Sequence, residues 1–415
     1  MNNRVVITGM SCITPIGNNV CDYWENSIKG KSGLRKIEKI RGLEIPEHMS
    51  KVIGSVEDFI GDAKYDRSIQ FALVATRQAL LDSCYQISSA DKVNVHLSTA
   101  IGNIQTMESV LQDWVNNYGG LNHTEEKLSE KLKYDFQFNS ISDIVADEFG
   151  VNGEISVLAT GCTGGVDALG YSFDQIRRGN ADVVITGSSE APITPLVISS
   201  FSKIGATSTN NENPQKASCP FDIARDGFVL AEGCGIFILE SLEHAMERNA
   251  NILAEIVGFG SCSNALHMTD IPNDGQSICR SMMLALDDAN VSSELIDYVN
   301  LHGSSTPQND YAESNALKEL LGERYNLVPI TSNKSQIGHA LSASNSIEII
   351  SAIKTILTGI VPPTNNLCNK DPNCNLNVEN YARTYNKIEY VLKNSSGFSG
   401  IHSSIVIKKF TGGEK

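Results

Sequence analysis

None of the ten cysteines forms a CxxC pair with another. Their scatter argues against a structural zinc site and against a disulfide framework, and a reducing cytoplasm is the compartment this implies. No apolar run approaches the roughly 20 residues a membrane-spanning helix needs, so no membrane segment is expected. The opening MNNRVVITGM has no charged leader followed by an apolar stretch and a small-residue cleavage site, so secretion is not expected. Positive charge is short as well: the net charge is −15, which counts against nonspecific nucleic-acid binding. One basic cluster stands against that balance, Lys29, Lys31, Arg35, Lys36, Lys39 and Arg41 around the single Glu38. A solvated surface is the simpler reading of such a run.

What is present is an ordinary globular composition over 415 residues, 41% hydrophobic and 20% charged. That length fits two or three domains or one large double unit. The chain centres on ISVLATGCTGGVDALGYSFDQIRRG, Ile155 to Gly179. An apolar run, Ile155 to Ala159, ends in Thr160-Gly161 and delivers Cys162. Gly164-Gly165 then lead into a helical pattern with Val166, Leu169, Phe173 and Ile176 on one face. A cysteine at a strand-to-helix turn lies near the positive end of the helix dipole, which favours the thiolate, the form that attacks carbonyls. A small buried core thiol is the alternative reading.

The order of elements then begins again. A strand at Val5 to Thr8 closed by Gly9 (VITGMS, Val6 to Ser11) is echoed by EIVGFGSCS, Glu255 to Ser263. The helix Ser68 to Cys84, with its QALLDS, is echoed by Ser277 to Ala289 with LALDDA. The strand at Val93 to Gly102 has its counterpart at Asp297 to Leu301. Pro329 to Thr331, a turn containing Gly338 and a helix from about Ser342 parallel the cysteine segment. Thr106 to Lys133 reads as a polar helical insertion. A period near half the chain means two similar α/β halves, residues 1–250 with the cysteine and the insertion, and residues 251–415. Loops at the carboxyl ends of the strands then gather in one place. Two such loops carry histidine: His302-Gly303-Ser304-Ser305-Thr306-Pro307, and Ser332-Asn333-Lys334-Ser335-Gln336-Ile337-Gly338-His339. A nucleophile with two histidines and a lysine converging on it is a candidate catalytic set.

These segments resemble the β-ketoacyl synthase family. HGSSTPQND is similar to its HGTSTPxxD signature, and KSQIGHALSASNSIE to KSxxGHxxxAAGxxE. CPFDIARDGFVLAEGCG is similar to PFDxxRDGFVxGEGxG. TGCTGGVDALGY looks closer to the TGCTSGLDxVGY of type II aromatic polyketide ketosynthases than to the TACATGxH of fatty-acid enzymes, and SGFSGIHS is nearer their GSGFGGFQS. The resemblance runs from Val5 to Phe410. It implies a thiolase-like fold, two pseudo-duplicated α/β halves in a five-layered αβαβα core. The implied reaction is the decarboxylative Claisen condensation of an acyl chain with malonyl carried on acyl carrier protein.

Carried over by motif, Cys162 would hold the acyl group as a thioester, and His302 and His339 would stabilise the malonyl enolate. Lys334 would orient His302, and Glu348 would support that network; a structural ion pair is the alternative reading of Lys334 and Glu348, and the two are compatible. The backbone N–H groups of Cys162 and Phe398 would form an oxyanion hole. Ser304 and Thr306 would hydrogen-bond the phosphopantetheine arm of the carrier, a substrate carrier and not a resident cofactor; no metal is implied. The resemblance also implies a heterodimer with a cysteine-less chain-length factor, or a homodimer if the chain extends fatty acids or polyenes. Lys64, Arg67, Lys127, Lys131 and Lys203 stand where relatives receive the carrier. Three departures bear on the pocket: Gly164 where the polyketide pattern has serine, Ser399 where the motif has glycine, and the serines Ser342 and Ser344 in the helix start.

Overall fold

The computed structural model describes residues 3–118 and 137–412. Lys127, Lys131 and the distal part of the insertion lie outside the described residues. As far as Tyr118 the insertion is a helix, Ile104–Tyr118.

Ten strands form one hydrogen-bonded array. Five come first in the chain: β1 (Val5–Ile13), β2 (Val93–Ser98), β3 (Ile155–Leu158), β4 (Val183–Glu190) and β5 (Gly233–Ser241). Five follow: β6 (Ala254–Ser263), β7 (Tyr298–Asn300), β8 (Ile330–Thr331), β9 (Tyr390–Ser396) and β10 (Ile401–Lys408). Their spatial order is β8-β7-β9-β10-β6-β1-β5-β4-β2-β3. Read outward from the centre, each half runs first strand, fifth, fourth, second, third, with the same parallel and antiparallel pairings. The halves meet where β1 pairs antiparallel with β6, Val5 to Ile7 against Ile256 to Ala254.

Six helices complete the layers: α1 (Arg67–Ser83), α2 (Ser140–Phe149), α3 (Gly164–Arg177), α4 (Gln276–Ala289), α5 (Pro307–Leu321) and α6 (Ser342–Thr358). α1 and α2 cover one outer face, α4 and α5 the other, and α3 packs on α6 between the sheets. This is the five-layered thiolase-like arrangement. Helix ends follow local chemistry. Asp66 caps α1 by accepting from Ser68 N (2.9 Å), and Cys84, in left-handed conformation, ends it. Gly359 ends α6 in the same way.

The echo between VITGMS and EIVGFGS has a packing cause. Gly9 does not close its strand, as the sequence suggested; β1 continues to Ile13 with a register shift between Ile7 and Gly9. A Cβ at Gly9 would lie 2.4 Å from the Ala79 carbonyl oxygen of α1. In β6 the register shifts between Ile256 and Gly258, and a Cβ there would lie 2.3 Å from the Ala285 carbonyl oxygen of α4. Both glycines let an outer helix approach strand backbone, so the repeated residue marks a repeated contact.

The apolar face read from α3 is buried as expected. Val166, Leu169, Phe173 and Ile176 join Ile347, Ile350 and Ile353 of α6 in one core cluster. Each such side chain contributes about 1.5–3 kcal/mol by burial, so this layer fixes the two turns at the helix starts against each other. Helix α5 has no counterpart in the sequence reading. Its hydrophobic signal is weak because Asn309, Asp310, Glu313 and Ser314 are buried on it.

Candidate active site

β3 ends at Leu158, and a tight turn, Gly161–Thr163, carries Cys162 onto the start of α3. Asp167, one turn into α3, accepts hydrogen bonds from Thr160 Oγ1, Thr163 Oγ1 (2.7 Å) and Ser403 Oγ. These bonds tie the cysteine turn to its own helix and to β10. The Cys162 carbonyl oxygen accepts from Asn345 Nδ2 of α6 and from Ser395 Oγ of β9 (3.1 Å). The turn of the first half is therefore clamped by residues of the second.

The loop after β7 carries His302, and the turn before α6 carries His339. Their rings meet edge to face with centroids 5.1 Å apart, and Phe228 meets His339 edge to face as well, at 5.1 Å. Both histidines, Cys162 and Phe398 line one cavity of about 350 Å³, together with Ser304, Thr306, Phe201 and Phe228. The Ser304 and Thr306 hydroxyls lie 2.8 Å apart. Lys334 Nζ donates to the His302 carbonyl oxygen (2.7 Å) and pairs with Glu348 Oε1 (2.6 Å). The residues singled out from sequence are thus in one place, with Lys334 and Glu348 behind the histidines instead of on the cavity wall. Phe398 sits on a tight turn in which Ser399 has φ 70°, the left-handed conformation that suits the glycine of the family motif.

Electrostatics separate the members. Burial, then the Lys334 ammonium, holds His302 well below 6.5, with His339, Lys393 and His402 adding to the effect. Burial, then Lys334 and Lys393, lowers His339 likewise. Both rings are therefore neutral at physiological pH. Ser344 Oγ accepts from Ala340 N (2.7 Å) and lies 3.1 Å from His339 Nδ1.

Cys162 corrects the sequence expectation. The thiolate was expected to be favoured by the helix start. Burial instead pushes the thiol up to about 11, against the opposing pull of Lys334 and of the Phe398 and Cys162 backbone N–H groups, and Glu190 adds to the rise. Desolvation of the anion outweighs the dipole here.

Several site residues escaped the sequence reading. Lys393 lies inside β9, which runs to Ser396 with its residues buried from Val391 onward. Ser395 and Asn345 stand where the quoted motifs have glycine, a departure that was legible. Glu313 accepts from His302 N and Gly303 N, each at 2.7 Å, from a helix that was not predicted.

Of the basic residues proposed for carrier binding, Arg67 is occupied by Glu232 through Nε and Nη2, both at 2.9 Å. Lys64 pairs with Asp62 at 3.5 Å, and Lys203 is exposed beside the cavity-lining Ile204. In the basic cluster Lys29, Arg35, Lys36 and Lys39 are paired with Glu25, Glu57, Glu38 and Glu44. That supports the solvated-surface reading. Among the described residues no helix is long and apolar enough to cross a membrane, and no His/Cys/Asp/Glu group could hold a metal ion.

Two family models match in tandem: the N-terminal domain of β-ketoacyl synthase over residues 2–245 and its C-terminal domain over residues 253–368. The tetracenomycin polyketide synthase ketoacyl synthase alpha subunit of Streptomyces glaucescens is 38% identical over 98% of this chain and 97% of that protein. A 3-oxoacyl-[acyl-carrier-protein] synthase 2 of Staphylococcus aureus is 37% identical over 99% of both. Among solved structures, a type II polyketide synthase ketosynthase in complex with its acyl-carrier protein and bound to the hexaketide superposes with TM-score 0.92. It is 41% identical, covering 99% of this chain and 100% of that one. The ishigamide ketosynthase/chain length factor superposes with TM-score 0.89 at 28% identity, covering 99% of this chain and 100% of that one. The chain belongs to the β-ketoacyl synthase family of acyl-transferring condensing enzymes.

Proposed function

We propose that this chain is the ketosynthase of a type II polyketide synthase, joining an acyl chain held on Cys162 to malonyl delivered by acyl carrier protein. The observation that carries this reading is the meeting of Cys162, His302 and His339 on one cavity with the Phe398 N–H aimed at the sulfur. The acyl group passes from the carrier thiol to Cys162 as a thioester. The phosphopantetheine arm of malonyl carrier then enters past Ser304 and Thr306, whose hydroxyls bind it, while Lys203 offers the acidic carrier a cation at the mouth.

As the malonyl carboxylate leaves as carbon dioxide, the bonding electrons form an enolate whose oxygen accepts hydrogen bonds from His302 and His339. Neutral rings suit this donor role. Asn345 already donates to the Cys162 carbonyl. Ser395 Oγ, which donates to the same carbonyl (3.1 Å), lies 3.3 Å from His302 Nδ1. The enolate carbon attacks the Cys162 thioester, the oxyanion is held by the Cys162 and Phe398 N–H groups, and the sulfur leaves. Lys334 acts by holding the His302 backbone, and Glu348 by holding Lys334. Residues 1–250 supply the nucleophile, and residues 251–415 supply both histidines, Lys334, Glu348 and Phe398.

The polyketide relatives and the motifs around Cys162 support this product class, and a cysteine-less chain-length factor is the proposed partner. Exposed Leu111 and Leu196, on helices joined where Leu196 N donates to Glu108 (3.1 Å), offer an apolar surface for a second chain. The Staphylococcus aureus relative supports a second reading, fatty-acid elongation as a homodimer. Intact mass spectrometry after incubation with carrier, malonyl units and the candidate partner tests both. An acyl mass on Cys162 that grows only with the partner supports the first, and an active homodimer from this chain alone supports the second. Cys162→Ala should lose condensation and keep decarboxylation, whereas His302→Ala and His339→Ala should lose decarboxylation. Decarboxylation intact in both histidine variants would falsify their roles.

A further inference from the structure

A lysine inside a strand covered on both faces cannot reach water, and a buried ammonium is costly unless paired. Lys393 on β9 is fully buried, and so is Glu348 on α6. Lys393 Nζ lies 2.8 Å from Glu348 Oε2 and donates to the Asn394 carbonyl oxygen at 2.6 Å. The other oxygen of the same carboxylate is taken by Lys334. Lys334 alone would complete that ion pair, so the second lysine needs another reason.

The reason lies in the charge around it. Glu313, fully buried on α5, turns its carboxylate to the backbone of His302 and Gly303. Burial pushes the Glu313 carboxyl up to about 7, so above that pH two carboxylates, Glu348 and Glu313, stand behind His302, and two ammoniums, Lys334 and Lys393, balance them. Without Lys393 the wall behind the histidines would carry one uncompensated negative charge, at the place where the reaction builds another. Arg225 does not supply the difference, because it faces Asp310 and Asp371. The other ionisable groups near Glu348 and His302 are Tyr23, Tyr298, His339 and His402.

We propose that Lys393 is a positioning residue of the condensing site, its ammonium cancelling the second buried carboxylate so that His302 and His339 face the enolate from an electrically neutral wall. This rests on the decarboxylating reading given above. Lys393 acts through Glu348 and the histidines and does not itself touch substrate. It also adds to the positive charge that keeps both rings neutral.

Lys393→Met, nearly isosteric and uncharged, tests the assignment through malonyl-carrier decarboxylation followed from about pH 5.5 to 9.5, a range spanning the histidine and lysine titrations. The expected result is a kcat lower by on the order of 10- to 100-fold at neutral pH, with KM within about twofold and Cys162 acylated to the same stoichiometry. The acid limb should move to higher pH, because the histidines lose a repelling charge. A merely structural role would lower the acylated fraction and leave the limb in place. A kcat and an acid limb matching wild type overturn the proposal, as does a drop confined to the acylated fraction.

Should the variant not fold, wild type supplies the measurement. Burial holds the Lys393 ammonium down to about 8. Decarboxylation should then fall as pH rises through that value while Cys162 acylation does not fall; decarboxylation flat across the range overturns the proposal. If wild type neither acylates Cys162 nor releases carbon dioxide, the condensing-enzyme reading itself fails. That result is distinct from a working wild type that is indifferent to Lys393.

Discussion

Raising the pH across resting enzyme should expose how strongly Cys162 is held as a thiol. Burial places its titration at about 11, two units above the ordinary 9.0. At pH 8 an ordinary thiol of that kind is roughly 10% thiolate, whereas Cys162 is about 0.1%, so alkylation by iodoacetamide should be about 100-fold slower. Because the thiolate is the reacting form, the rate should climb roughly tenfold per pH unit from 7 to 10 without levelling. Cys21, Cys84 and Cys368 are exposed and will react as well. The assay is therefore peptide-resolved mass spectrometry of the Cys162 segment, with those three thiols as internal references. The linkage sign agrees: a thiol raised in the folded state makes folding less favourable as pH climbs above the unfolded thiol value, so stability should also fall on the alkaline side. A Cys162 rate that levels off below about pH 9 would refute the reasoning, since the Lys334 charge, the two N–H groups and the helix start would then outweigh desolvation.

Two further substitutions probe the surroundings. A Cβ at Gly164 would lie 2.0 Å from Ser98 Oγ, so Gly164→Ser should destabilise by about 1–3 kcal/mol in thermal or denaturant unfolding and slow condensation. Ser98→Ala in the same chain should recover most of the loss, and an unchanged midpoint in the single variant would remove the clash as an explanation. Arg67→Ala should cost about 3–5 kcal/mol by stranding the buried Glu232 carboxylate, leaving carrier affinity unchanged in a binding titration of the folded fraction. Weakened binding with intact stability would return Arg67 to the docking surface.

The site was legible in sequence where function is carried by residues on turns between strong elements. Cys162, His302, Lys334 and His339 each follow a strand with clear apolar character, and glycine flanks three of them. The repeat was legible because Gly9 and Gly258 make the same helix approach. Lys393 was hidden for a physical reason: its strand is buried on both faces, so no alternation separates core from surface, and a lysine reads as the end of such a run. Glu313 was hidden because α5 buries polar side chains instead of an apolar stripe. The thiol character of Cys162 was misread because dipole and motif are local, whereas desolvation depends on α6 and β9, far along the chain. Partner identity rests on surface shape, which periodicity does not encode.

The division of the site between halves also sets an order of events for a chain that is still folding. The first half holds the Cys162 turn and α3, but the atoms that clamp the turn, from Asn345, Ser395 and Ser403, come from the second half. Until the halves dock, α3 lacks its packing partner α6, and the cysteine is an ordinary solvated thiol without histidines. Docking buries the sulfur, the paired lysines and carboxylates and the α3–α6 surface in one step. Native thiol protection is thus a product of the latest, most nonlocal contacts and arrives together with catalytic competence.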